Sequence, residues 1–249
     1  MITETINTMD ELLEFTSRVR KEHEGAVWYR GEENSELPLL PSIQRSEKRI
    51  GQERFLANEF YIRAKQILED APDRRNYAVW VSLMQHHGLP TRMLDWTRSP
   101  LVAAFFATEH FKKLPGQDSC IWVLVPNLLN IREGFGDCIY PLDANTSQEM
   151  LRPAFKHLNH NPKLTDKILC CYSVEKNLRM YSQQSCFTIH NSIRRLEDIC
   201  DETMLYRMLI PAGRRDYFLE SLRSFGITES FVYPDMDHIS SDLLRTFDL

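Results

Sequence analysis

The stretch from Gly88 to Ala107 constrains the fold more than any other part of the chain. Gly88 and Pro90 stop the helix before them, because proline lacks the N–H that a continuing helix needs and glycine favours helix ends. Met93 to Thr97 then reads as a short strand. Ser99-Pro100 is a helix start: the serine supplies a capping oxygen and the proline fits the first helical position. The following Leu-Val-Ala-Ala-Phe-Phe-Ala107 is apolar throughout and should run as a helix to about Lys113, closed by Pro115-Gly116. His86, His87, Arg92, Asp95, Trp96 and Thr97 therefore crowd a polar corner beside a greasy helix. Such a corner is either a satisfied structural turn or the wall of an active site.

The rest of the chain alternates helices and strands. Thr8-Met-Asp-Glu11 is a capping box, continued at helical spacing by Leu12, Phe15 and Val19. Residues 26–30 read as a strand stopped by Gly31, residues 32–45 as extended loop, and about 52–69 and 75–87 as helices. Cys120 to Val125 is the clearest buried strand. Residues 126–165 look loop-rich, 185–190 and 205–210 look like strands, and 215–225 like a helix capped by Gly226. Residues 230–233 suggest a last strand and 237–247 a last helix. With no repeat and no Gly/Ser linker, the expectation is one α+β domain over 1–249.

At 43% hydrophobic and 26% charged residues, the 249-residue chain has the composition of an ordinary globular protein. Its net charge of −5 gives no global pull toward nucleic acid or anionic lipid. The longest apolar run, Pro100 to Ala107, is far short of the roughly 20 residues of a membrane span. The N-terminal MITETINTMDELLEF is acidic where a signal peptide is basic, so a cytoplasmic protein that engages no membrane is expected. The six cysteines show no C-x-x-C pair and are read as reduced thiols.

Four constellations carry polar chemistry. In Trp28-Tyr29-Arg30-Gly31, an arginine at a strand end suits a phosphate, which a guanidinium grips bidentately, and the glycine lets a ligand approach the backbone. Arg30 could equally pair with Glu32, Glu33 or Glu36. In the polar corner, strand alternation puts Asp95 and Thr97 on one face, while an Asp95–Arg92 or Asp95–Arg30 pair would simply order the turn. His86 and His87 point about 100° apart on a helix and make no i,i+4 metal pair, so no metal is expected. Gln183 or Gln184, leading into the 185–190 strand, suits hydrogen bonding to a ligand or a turn. Asp198 to Glu202 place carboxylates ahead of the 205–210 strand.

With Trp28-Tyr-Arg-Gly31 followed by Gln85-His-His-Gly-Leu-Pro-Thr-Arg-Met-Leu-Asp-Trp-Thr97, the chain resembles the FRG-domain family of bacterial and phage proteins. The family takes its name from a Phe/Tyr-Arg-Gly motif, which stands here as Tyr29-Arg30-Gly31. Gln184…Phe187, Ile210-Pro211, Gly226-Ile227 and Tyr233-Pro234-Asp235 extend the resemblance over about residues 26–245. More distantly the chain is similar to ADP-ribosyltransferases. Arg30-Gly31 matches an Arg-Gly on the first core strand, Thr97-Arg98-Ser99 a Ser-Thr-Ser strand end, Ala103 to Phe106 an Ala-x-x-Phe helix, and Ile121 to Val125 the next strand.

That resemblance implies an ADP-ribosyltransferase-like split mixed β-sheet with an inserted helical segment at about 50–90. It also implies an NAD-dependent ADP-ribosyltransferase, a toxin or antiphage defence effector whose target is a nucleic acid (RNA or DNA) or a protein. Arg30 would neutralise the NAD diphosphate, with Tyr29, Gly31, His87 and Arg92 in the same binding site, while Thr97 and Ser99 hold the strand beside the nicotinamide ribose. The family's late-strand glutamate has no counterpart, since Arg207 occupies that position. Glu202, Asp95 and Gln184 are the candidates for the catalytic role. A toxin would require an antitoxin or chaperone protein to cover the cleft. The alternatives are a non-enzymatic nucleotide or nucleic-acid-binding module using Arg30, His86, Arg92 and a stacking Trp96, and a nuclease using the histidine pair.

Overall fold

The computed structural model describes residues 2–110, 116–156, 161–174 and 177–248. Strand β1 (Ile2–Thr5) leads into helix α1 (Met9–Glu22), where Thr8 and Glu11 form the capping box and Leu12, Phe15 and Val19 are buried. Strand β2 (Trp28–Glu32) is followed by α2 (Glu47–Lys65) and α3 (Tyr77–His86), the helical segment expected near 50–90. Next come β3 (Met93–Thr97), α4 (Pro100–Thr108) and β4 (Ser119–Leu124). Ser99 Oγ accepts from Val102 N, as the Ser-Pro helix start requires. Helix α4 stops at Thr108 with Glu109 as its cap, and the expected end near Lys113 lies outside the described residues.

Residues 126–165, expected as loop, contain α5 (Pro126–Glu133), the short strand β5 (Tyr140–Pro141) and α6 (Asn145–Leu151). Pro126 opens α5 and Gly134, at φ +85°, ends it, which is the ordinary Pro-start and Gly-stop chemistry of a helix. Strand β6 (Ile168–Tyr172), helix α7 (Leu178–Ser182), β7 (Ser185–His190), α8 (Leu196–Ile199), β8 (Leu205–Ile210) and α9 (Arg215–Ser224) follow. The strand expected at 230–233 is instead a short helix, α10 (Glu229–Val232). Thr228 accepts from Phe231 N and the Asp242 carboxylate takes Ser230 N, so those backbone donors are occupied by caps rather than a ladder. Helix α11 (Met236–Thr246) completes the chain. Among the described residues no helix is long and apolar enough to cross a membrane.

The strands form one mixed sheet of eight in the order β1-β8-β4-β2-β3-β7-β6-β5. Within each half the ladders are continuous: β2 pairs with β4 from Trp28↔Leu124 to Glu32↔Cys120, and β3 with β7 from Met93↔Ile189 to Thr97↔Ser185. Between the halves, β2 meets β3 only at Tyr29↔Thr97. The sheet is therefore split in the middle, and the two strands part beyond that contact.

Burial explains why the halves stay together despite the split. On one face, α1, α4 and α9 cover Tyr29, Ile121, Val123 and Met208, while α2, α3 and α6 separately cover Met93, Leu169, Phe187 and Ile189. On the other face a single cluster runs across both halves, from Trp28, Trp122 and Leu205 to Leu94, Trp96, Ile168 and Cys186. Every residue of β4 is buried, as a strand covered on both faces demands. All six cysteines are free.

Candidate active site

The parting of β2 and β3 opens a cavity of about 460 Å³ on the face that carries two separate helix layers. That volume lies within the usual range for small-molecule sites. Strand β2 contributes Arg30 and Gly31, β3 contributes Asp95 and Thr97, α3 contributes Ser82, Gln85 and His86, and the end of α4 contributes Phe106, Glu109 and His110. Arg179 and Gln183 enter from α7 and its cap.

Arg30 is paired, as one of the sequence alternatives held, with Glu32. Its Nε donates to Glu32 Oε1 at 3.0 Å, its Nη2 donates to the same oxygen, and its Nη1 donates to the Asp95 backbone oxygen at 2.8 Å. Three of the five guanidinium donors are thus engaged, which leaves two for a ligand. Burial opposes the charge on Arg30, but Glu32 and Asp95 outweigh it and hold the pKa above the ordinary value. Gly31 serves packing rather than ligand approach: a Cβ there would lie 2.0 Å from the Ala103 oxygen, so only glycine lets α4 seat against β2. Tyr29 is fully buried, and its hydroxyl accepts from Arg20 Nε at 3.2 Å.

Asp95 stands opposite Arg30 on the other side of the split, open to the water of the cavity although protein surrounds it. Gln85 Nε2 donates to its Oδ1, and Thr91 Oγ1 in turn donates to Gln85 Oε1 at 3.0 Å, which fixes the amide's orientation. Burial raises the Asp95 pKa, while Arg30, Gln85 and Arg179 pull the other way. Thr97 shares the cavity with Asp95, as strand alternation predicts, yet its hydroxyl donates to Gln183 O at 2.6 Å and accepts from Ser99 N at 3.0 Å. It secures the junction of β3, α4 and α7. Ser82 Oγ, fully buried in the cavity wall, has no hydrogen-bond partner among the described residues.

A second polar group sits at the far end of α4. His110 Nδ1 lies 2.9 Å from Glu33 Oε1 and 3.8 Å from Glu109 Oε1, and Tyr233 donates its hydroxyl to the Glu109 carboxylate at 3.0 Å. The ligand atoms of Glu33, Glu109 and His110 lie within 4.8 Å of one another, a spacing compatible with a cation, where no metal was expected. Burial pushes the Glu109 pKa up to about 7; His110 and the Tyr233 hydrogen bond oppose the rise, and Glu33 and Glu229 add to it. Arg179 stacks on Tyr233, its guanidinium carbon 4.8 Å from the ring centroid.

The remaining sequence candidates are not among the residues that line this cavity. Arg92 points under α2, where Nε donates to the buried Glu53 carboxylate at 3.0 Å and Nη1 donates to Asn191. Ser99 is consumed as the α4 cap. His87 is the exposed cap of α3, and only its neighbour His86 lines the cavity. Gln184 sits at φ +48° and uses its backbone oxygen to accept from Arg98 N, while Gln183 faces the cavity instead. Glu202 is exposed in the turn before β8, beyond the strand end that pairs with Leu124, whereas the cavity begins past Tyr29 toward the opposite end of β2.

Sequence reasoning passes over Glu33, Ser82, Glu109, His110 and Tyr233 as site residues. One signal for Glu109 was present: it follows Phe106 by three positions, so both lie on the same face of α4. No curated protein and no solved structure matches the chain. Residues 25–114, which supply Arg30, Asp95 and Glu109 to the cavity, match the FRG domain family model.

Proposed function

We propose that the cleft binds NAD and that the protein is a cytoplasmic ADP-ribosyltransferase, a toxin or defence effector acting on a nucleic acid or protein. The observation that carries this reading is the parting of β2 from β3 in the middle of the sheet, with Arg30 on one lip and Asp95 on the other. Arg30 retains two donors for a diphosphate, Arg179 adds a second guanidinium, and the orphaned Ser82 hydroxyl offers a buried hydrogen bond to an uncharged ligand group. The apolar side of Phe106 and Phe187 supports a ring system.

In the reaction, the bond between ribose C1′ and the nicotinamide nitrogen breaks, and nicotinamide leaves with the bonding pair. The ribose is left with oxocarbenium character. Asp95, which accepts from Gln85 Nε2 and faces Arg30 across the split, is the carboxylate placed to stabilise it. The acceptor then bonds to C1′. An antitoxin or chaperone would act by covering the cleft mouth.

The binding-module alternative loses its stacking residue and one of its cations. Trp96 is 3% exposed, with Nε1 donating to Thr188 Oγ1 at 3.1 Å, and Arg92 is tied to Glu53. The transferase reading is tested by incubating the protein with NAD labelled in the adenosine and with cell lysate. Nicotinamide release and labelled macromolecule are expected. An Asp95→Asn variant should keep NAD affinity and lose about 10²–10³ of the rate, the usual cost of removing one electrostatic stabiliser. Folded wild-type protein that leaves NAD intact and the lysate unlabelled contradicts the reading.

A further inference from the structure

We propose that Ser82 is the specificity-determining residue of the cleft: its hydroxyl reads the neutral carboxamide of the nicotinamide ring and disfavours a carboxylate in the same place. This rests on the NAD reading of the cleft and names the subsite for one end of the dinucleotide. Ser82 is 1% exposed, it lies in the cavity wall, and its Oγ has no hydrogen-bond partner among the described residues. A helical serine has an acceptor at hand in the carbonyl four residues back. Ser221, Ser240 and Ser241 use it, donating to the oxygens of Tyr217, Met236 and Asp237 at 2.8, 2.8 and 2.9 Å. Ser82 does not, so its buried hydroxyl gives up hydration without replacing it. A serine has one side-chain torsion, and presenting the hydroxyl to a ligand takes one rotamer step.

The neighbours set the chemistry of the group that fits. Ser82, Gln85 and His86 stand at i, i+3 and i+4 and share the face of α3 that lines the cavity. The Gln85 amide is engaged at both ends, its nitrogen by Asp95 and its oxygen by Thr91, whereas the Ser82 hydroxyl is not engaged at all. Phe187 pairs with Asp95 across β3 and β7, and residues opposite one another in an antiparallel ladder project from the same face of the sheet. Phe187 and Met180 give this side of the cavity an apolar wall against which a planar ring can lie. One helical turn, roughly 5–6 Å between side-chain bases, separates Ser82 from the glutamine that holds Asp95. A ring whose nitrogen is bonded to a sugar carbon beside Asp95 therefore carries its carboxamide toward Ser82. The carboxamide both donates and accepts, and so does the serine hydroxyl. A carboxylate there would stand near the Asp95 carboxylate in a recess sheltered from water, where like charges repel most strongly.

The test uses the full chain and four probes read by calorimetry: NAD, its analogue with a carboxylate in place of the carboxamide, ADP-ribose, and free nicotinamide. The wild type should hold NAD about tenfold or more tighter than the carboxylate analogue, and free nicotinamide should compete with NAD. Ser82→Ala should weaken NAD about three- to tenfold, the worth of one hydrogen bond. It should leave ADP-ribose, which lacks the ring, within about twofold of the wild type. Without ligand, Ser82→Ala should melt at or above the wild-type temperature, because it removes a buried hydroxyl that has no partner to lose. A purely structural serine would instead lower the melting temperature and leave the preference for the carboxamide in place. Equal wild-type affinity for NAD and the carboxylate analogue overturns this inference alone. So does a Ser82→Ala variant that keeps full NAD affinity, or one that loses NAD and ADP-ribose equally. A wild type that binds neither NAD nor ADP-ribose overturns the NAD reading and this inference with it.

Discussion

Gly31 and His190 show how single positions constrain the site from opposite directions. A methyl on Gly31 would meet Ala103 O at 2.0 Å and Ala107 N at 2.6 Å, both backbone atoms that cannot move without lifting α4 from β2. Gly31→Ala should therefore cost about 1–3 kcal/mol or more, read as a lowered denaturant midpoint, with the cavity disturbed as well. His190 is fully buried; Thr188 Oγ1 accepts from Trp96 Nε1 and lies 2.9 Å from His190 Nε2. Burial, with Arg30 and Arg194 nearby, pushes its pKa down to about 3. Unfolded, it takes a proton near pH 6.5, so between about pH 6.5 and 3 the unfolded state binds the extra proton. Stability then falls as pH drops across that window, by up to about 1.4 kcal/mol per unit. The stability difference between wild type and His190→Gln, followed by denaturant titration from pH 7 to 4, should shift against the wild type as pH falls. A difference independent of pH would mean that His190 is not held neutral. The motif residues were legible as a cluster, but their partners were not: Glu32 for Arg30 was one of three options, and Glu53 for Arg92 lies 39 positions away, beyond any local rule.

At the scale of elements, strong local chemistry was readable and weak local chemistry was not. The 93–97, 185–190 and 205–210 strands and the Ser99-Pro100 helix start stand as their sequences imply. Strand β1, the polar Ile-Thr-Glu-Thr, carries no burial pattern; it exists because its backbone pairs in parallel with β8, a partner some 200 residues away. Helix α10 departs from the strand expected there because Phe231, Val232 and Tyr233 favour strands by type, whereas the Thr228 cap and Asp242 decide the backbone. Helix α2 is held to β3 by the Glu53–Arg92 pair, with side chains 7% and 11% exposed. Glu53→Ala should cost about 3–5 kcal/mol, because it strands a buried guanidinium, while adding Arg92→Met should recover part of the loss. Urea unfolding of the two variants measures this. A double variant as unstable as the sum of two independent losses would show that the pair is not coupled.

For the whole molecule, the decisive feature is a continuous hydrophobic cluster beneath a sheet that parts above it. The cluster ties the halves together, and the second face, with separate helix layers, leaves room for a ligand between them. The split sheet was expected only through resemblance, since which strands neighbour one another depends on pairings far apart in the chain. A ligand bridging Arg30 and Asp95 spans both halves and should stabilise the fold by mass action, about 2.7 kcal/mol at a hundredfold excess over its dissociation constant. Calorimetric titration of the wild-type protein with NAD, with nicotinamide release followed in the same sample, tests the central claim most directly. Saturable one-to-one binding, accompanied by nicotinamide release that Asp95→Asn suppresses while still binding, is the predicted result. No binding heat, no rise in melting temperature and no nicotinamide at millimolar NAD would contradict it.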